Sequence, residues 1–127
     1  MSKTILIVDD TEHYADQAEQ HFKRNGYETL TADDTVAAFF MYKDHRPDAV
    51  LTDFRLRGTT SDLLIENIRN YEKEAGVGRA TIVLVSSYDI NEADWKGFGA
   101  DAFFNREYGL EEPFGFIEES LRRKGSA

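Results

Sequence analysis

A chain of 127 residues, 41% of them hydrophobic, is the size of one domain and long enough to bury roughly two-thirds of its unfolded surface. A formal net charge of −9 excludes a sequence-independent grip on nucleic-acid phosphates, which needs a basic patch. No cysteine is present, so disulfides and thiolate metal sites are excluded as well, and the composition suits a reducing cytoplasm.

Met1-Ser2-Lys3 leads into Ile5-Leu6-Ile7-Val8, an apolar run too short for a signal peptide or a membrane span. Continuous and β-branched, it reads as a strand covered on both faces. It ends in Asp9-Asp10. Thr11 is placed to cap a first helix, with Glu12 in its first turn. Tyr14, Ala18 and Phe22, with Ala15 beside them, form its apolar stripe, and Asn25-Gly26 stops it. Glu28-Thr29-Leu30-Thr31-Ala32 is a more polar strand, suited to a sheet edge. Asp33-Asp34 opens a second helix carrying Val36, Ala37, Phe39 and Phe40, which fades before Pro47.

Ala49-Val50-Leu51-Thr52-Asp53 is a buried strand that ends, like the first, in a carboxylate, and Phe54 to Gly58 lead into a polar loop. The third helix turns Leu63, Leu64, Ile68 and Tyr71 inward, and Gly76 and Gly78 bracket its exit. Thr81-Ile82-Val83-Leu84-Val85 is a fourth strand closed by Ser86-Ser87. A short helix from Asn91 to Phe98 follows, weakened by Gly97, with Trp95 and Phe98 as core or partner surface. Ala102-Phe103-Phe104 is the fifth strand. Glu111-Glu112-Pro113 starts the last helix, which buries Phe114, Ile117 and Leu121.

Five strands alternating with five helices on short, right-handed connections make an α/β fold: a doubly wound, five-stranded parallel sheet of order 2-1-3-4-5. Residues 1–127 form one domain, with 124–127 a frayed tail. In that strand order the first and third strands are neighbours, so Asp9 and Asp10 meet Asp53 at the carboxyl edge of the sheet, where ligands bind in such folds. Three adjacent carboxylates repel one another. A hard divalent cation relieves that repulsion, and Mg²⁺ suits a few carboxylates, a carbonyl, waters and a phosphate oxygen. The plainer reading of Asp9-Asp10 is capping of the first helix.

The set of motifs, in this order, resembles a response-regulator receiver domain of two-component signalling, with a flavodoxin-like fold. It comprises Ile5 to Asp10, Asp53 after its strand, a hydroxyl residue closing the fourth strand, and Gly99-Ala100-Asp101-Ala102-Phe103 entering the fifth. The resemblance spans nearly the whole chain. It implies that Asp53 accepts a phosphoryl group from a histidine kinase or phosphotransfer protein, as a nucleophilic carboxylate. It further implies that Asp10 and Asp53, with the backbone carbonyl of Arg55, ligate Mg²⁺, while Asp9 acts mainly through water. Ser86 matches the switch hydroxyl, with Ser87 the alternative if the strand register shifts by one. Phe103 matches the family's rotating aromatic, although a plain core role fits it equally.

The chain departs from the family where a lysine and a proline commonly follow the fifth strand: it has Arg106-Glu107. Arginine keeps the charge but is planar and forked, so the change is not conservative, and the missing proline removes a cis peptide. Arg57 and Ser61 stand where a proline and a glycine are common. Beside a phosphorylated switch acting on a downstream protein, two rivals remain. One is a pseudo-receiver that binds partners without phosphorylation. The other is an Mg²⁺-dependent aspartyl phosphohydrolase, opposed by Arg55 standing where a second Asp would serve as acid and base. Neither direct nucleic-acid contact nor a membrane is expected, and the chain reads as a monomer or weak dimer. His13, His21 and His45 lack a second ligand at metal spacing and read as surface residues. Lys3, Arg46 and Arg122-Arg123-Lys124 read as solvated or helix-end charges.

Overall fold

A computed structural model describes residues 2–125. Its elements in chain order are β1 (Thr4–Val8), α1 (Glu12–Arg24), β2 (Glu28–Ala32), α2 (Thr35–His45), β3 (Ala49–Asp53), α3 (Asp62–Ala75), β4 (Thr81–Ser86), α4 (Glu92–Phe98), β5 (Ala102–Asn105) and α5 (Glu111–Gly125). The five strands are parallel in the order β2-β1-β3-β4-β5. The polar strand β2 takes one edge, and β3, every residue buried, takes the centre.

Alternation along the strands divides the apolar residues between two layers. Leu6, Val8, Val50, Ile82 and Leu84 face α2 and α3, meeting Ala38, Tyr42, Leu64, Ile65 and Ile68. Ile5, Ile7, Leu51, Val83 and Val85 face α1 and α5, meeting Tyr14, Ala18, Phe22, Phe114, Ile117 and Leu121. The apolar stripes read for α1 and α5 are therefore the buried ones. Trp95 and Phe98 are half-buried against the first layer.

Helix ends follow from local chemistry. Asp34 Oδ1 accepts the Ala37 N–H at 2.8 Å, and Asn91 Oδ1 accepts that of Asp94 at 2.9 Å. Thr11 does not cap α1 through its side chain. Its own N–H instead donates to Asp9 Oδ1 at 2.7 Å, so Asp9 does part of the capping work. The last helix runs through Gly125, with Lys124 Nζ donating to the Arg79 carbonyl at 2.7 Å. Ser126 and Ala127 lie outside the described residues.

Other expectations also change. Leu63 is 61% exposed and Ile65 takes the inward position on α3, because three consecutive apolar residues leave the helical phase open. On α2, Val36 and Phe40 face solvent at 65% and 57% exposure, while Ala38 and Tyr42 are buried. The polar loop after Asp53 contains a small antiparallel ribbon, Arg55–Leu56 against Thr59–Thr60. Its two-residue turn, Arg57-Gly58, has positive φ at both residues, the turn geometry that matches strand twist. His21 is no bare surface residue: it stacks on Phe114 at 4.4 Å and meets Glu118 at 3.0 Å. His13 and His45 are exposed as expected.

The amino edge of the sheet is tied by Arg69. Its guanidinium donates to the carbonyls of Gly99 (2.9 Å) and Ala80 (2.8 Å) and to the carboxylates of Glu72 (2.9 Å) and Asp101 (3.0 Å). Glu72 also accepts from Tyr42 and the Ala80 N–H, and Asp101 from the Ile82 N–H. Gly99, at φ +107°, leaves room for this: a Cβ there would lie 2.9 Å from Arg69 Cγ. In urea unfolding, Arg69→Met is expected to cost about 3 kcal/mol by leaving the buried Glu72 carboxylate without its cation and the Ala80 and Gly99 carbonyls without their donor. Ile65→Ala is expected to cost about 3 kcal/mol, and Leu63→Ala less than about 0.5.

Candidate functional site

The carboxyl ends of neighbouring strands β1 and β3 deliver three acidic side chains to one place. Carboxylate oxygens of Asp9, Asp10 and Asp53 all lie within 4.8 Å of one another. Asp9 and Asp53 are buried and Asp10 is exposed. Each has partners of a different kind. Asp9 Oδ1 is held by the Thr11 N–H, whereas its buried Oδ2 has no hydrogen-bond partner. Asp10 Oδ2 accepts the Arg57 N–H at 3.0 Å, so the ribbon turn reaches back onto the pocket. Arg57 also pairs with Asp33 at 3.1 Å.

Asp53 receives the cation. Arg106 Nη1 donates to Asp53 Oδ2 at 2.9 Å and lies 3.6 Å from Asp9 Oδ2, an ion-pair distance without a hydrogen bond. Arg106 sits in a single 3₁₀ turn, Arg106–Tyr108, directly after β5. Its guanidinium rests 4.2 Å from the centre of the Tyr14 ring. The backbone has only trans peptides among the described residues.

Burial pushes the Asp53 carboxyl up to about 6, Asp9 adding to the shift while Arg106 opposes it. Asp9 is raised as well, chiefly by burial, with the Thr11 N–H and Arg106 opposing. Tyr14 is pushed above the usual phenol range by burial, and its hydroxyl has no hydrogen-bond partner. One arginine thus offsets the charge of a three-carboxylate pocket only in part. The donor set, all hard oxygen, with one buried oxygen lacking a hydrogen bond, fits a hard divalent cation such as Mg²⁺.

Ser86 closes β4, buried, and its Oγ accepts the Tyr88 N–H at 3.1 Å; Ser87 is exposed just beyond it. Phe103 on β5 is half-buried against the α2–α3 layer. Arg55 is exposed, its guanidinium 4.7 Å from the Tyr88 ring centre, so the loops after β3 and β4 touch. Sequence reasoning missed Arg57, Tyr88 and the second contact of Tyr14. The turn dipeptide Arg57-Gly58 lacks the Asn, Asp or leading Gly that marks a two-residue hairpin, and the other two depend on distant partners.

Titration of Asp53 sets a stability dependence. A carboxyl whose folded pKa is raised binds its proton more tightly in the native state. That contribution is fully present below about pH 4 and is lost as pH rises to about 6. In metal-free urea unfolding, the wild type is expected to lose about 2 kcal/mol relative to Asp53→Asn between pH 4 and pH 7. A flat difference would mean that Asp53 is not desolvated.

Comparison with known proteins finds a family match, sequence relatives and structures of the same fold. Residues 5–108 match the family described as response regulator receiver domain. Over 98% of its length the chain is 28% identical to the phosphate regulon transcriptional regulatory protein PhoB of Pseudomonas aeruginosa and 26% identical to the transcriptional regulatory protein PrrA of Mycobacterium tuberculosis. It spans about half the length of both, 54% and 52%. Among solved structures it resembles a CheY-like receiver domain protein from Methanospirillum hungatei JF-1, with a TM-score of 0.82, 23% identity, and 99% of this chain and 98% of that one covered. It also resembles the BeF₃-activated receiver domain of RstA from Klebsiella pneumoniae, with a TM-score of 0.80, 19% identity, and coverage of 94% and 99%.

Proposed function

The chain belongs to the response regulator receiver domain family of two-component systems, and on that premise we propose that it accepts a phosphoryl group on Asp53 from a histidine kinase or phosphotransfer protein and relays that state to a downstream protein. The observation that carries this reading is a buried carboxyl at the end of the central strand, within 4.8 Å of two more carboxylates and hydrogen-bonded to a cation.

Asp10, Asp53 and the Arg55 carbonyl would hold Mg²⁺ directly, with Asp9 acting through water. When bound, the ion supplies neutralisation of the carboxylates and of the incoming phosphoryl oxygens. The protein supplies position. An Asp53 oxygen attacks phosphorus, a P–O bond forms as the donor's P–N bond breaks, and the released imidazole takes up a proton. Phosphoryl transfer depends mostly on alignment and charge, and the pocket offers both: Asp53 is fixed by β3, and the Arg106 fork is already aimed at it. Arg106 can follow the new charge from the carboxylate onto phosphoryl oxygens.

Switching then uses Ser86. Turning its hydroxyl toward a phosphoryl oxygen breaks the bond with the Tyr88 N–H and frees the loop after β4, with Phe103 filling the space vacated beside it. A charge-assisted hydrogen bond supplies roughly 1.5–3 kcal/mol; the one from Ser86 is new, whereas Arg106 already bonds Asp53 and adds only the increment that the larger phosphoryl charge brings. Shifting a two-state equilibrium from 1:99 to 99:1 takes about 5.5 kcal/mol, so the Ser86 bond alone does not complete the switch.

A second reading has an observation in its favour. Because Arg106 already serves as an internal counter-ion for Asp53, the same pocket suits a pseudo-receiver that binds partners without phosphorylation. The phosphohydrolase gains no support, since Arg55 lies over Tyr88 and provides no carboxylate.

Intact mass after incubation with acetyl phosphate and Mg²⁺ separates the two readings. One phosphoryl adduct, lost in Asp53→Asn and with chelator, is expected; no adduct at saturating metal would leave the pseudo-receiver. Dephosphorylation rates of Arg55→Ala and Arg106→Lys are expected to differ from wild type, because both groups bear on water access and phosphoryl charge. Unchanged rates would remove them from the site.

A further inference from the structure

Arg106 has little to hold it from its own neighbourhood. It begins a three-residue 3₁₀ turn in which no residue is buried, and Glu107, not a proline, comes next. Its side chain is nevertheless only 17% exposed. The enclosing surface comes from the other end of the chain. Tyr14, buried on α1 in the layer that also holds Ala18 and Phe22, presents its ring 4.2 Å from the guanidinium carbon.

We propose that Tyr14 is the positioning residue for Arg106: its ring is the platform on which the guanidinium lies while the fork reaches Asp53. This rests on the phosphoacceptor reading for its functional consequence, but not for the contact itself. The physical reason is particular to arginine. A guanidinium is planar and weakly hydrated, so it stacks on an aromatic face, and stacking fixes the plane in which its donors point. A long side chain without that support would spread over many rotamers. The unpaired Tyr14 hydroxyl contributes nothing to this; the ring does. Here the face of the ring, and not a following proline, sets the direction of the cation.

Two arms test it. In chelator, a double-mutant cycle on the unfolding equilibrium with Tyr14→Leu and Arg106→Met is expected to show a coupling of about fivefold, the scale of a partly desolvated cation–π contact. With Mg²⁺ and acetyl phosphate, Tyr14→Leu is expected to slow phosphorylation about fivefold and to have no further effect when Arg106 is already Met. Tyr14→Phe keeps the ring and is expected to match wild type in rate while gaining stability, because an unpaired buried hydroxyl is removed. Should Tyr14→Leu fail to fold, phenylalanines carrying one, two and three fluorines at position 14 preserve the shape and weaken the ring's negative face in steps; coupling and rate are expected to fall in step. Additive effects in the cycle, a flat fluorine series, or a Tyr14→Phe loss equal to that of Leu would overturn the proposal. If wild type takes up no phosphoryl group, the phosphoacceptor reading fails, and the metal-free arm still decides the role of Tyr14.

Discussion

The repulsion among three carboxylates, forced together where β1 and β3 end side by side, is the constraint around which this molecule is arranged. Burial sharpens it, since two of the three are largely removed from water and an isolated buried charge is costly. The protein answers with a backbone N–H for Asp9, another for Asp10, and a single guanidinium for Asp53. Each comes from a different segment: the start of α1, the ribbon turn and the end of β5. The pocket is therefore a meeting point of three connections, and a change of charge at its centre bears on all of them.

The two edges of the sheet handle charge in opposite ways. At the amino edge Arg69 is matched by two carboxylates and two carbonyls, and those carboxylates accept further donors from Tyr42, Ala80 and Ile82. Such a satisfied network favours one arrangement. At the carboxyl edge, one arginine serves an acidic pocket that retains a buried oxygen without a hydrogen bond. The carboxyl edge is thus the less fully satisfied of the two.

Much of this was legible in the chain. The doubly wound sheet followed from five apolar runs alternating with helical stretches, and the acidic cluster followed from its 2-1-3-4-5 order, which sets the runs ending in Asp9-Asp10 and Asp53 side by side. Helix phase was legible where apolar residues are sparse, as in α1 and α5. It failed at Leu63-Leu64-Ile65 and across Val36 to Phe40, where apolar residues run on and only tertiary packing selects the inward ones. The ribbon was hidden because Arg57 takes a positive φ that glycine more often supplies. Tyr14 was legible as core and not as the partner of Arg106, since the stripe of one helix says nothing about a turn that meets it from the far end of the chain.

Parallel strands carry one further consequence. All five strands begin at the amino edge, and α5 returns there, with Lys124 bound to the carbonyl just ahead of β4. Both ends of the described chain thus emerge on the side of the sheet away from Asp53, separated from it by a strand's length of about 15 Å. A fluorophore, surface tether or fused domain attached at either end would hang below the sheet and leave the acidic mouth open to a docking protein. To touch that mouth itself, such an attachment would need a linker long enough to climb the side of the molecule.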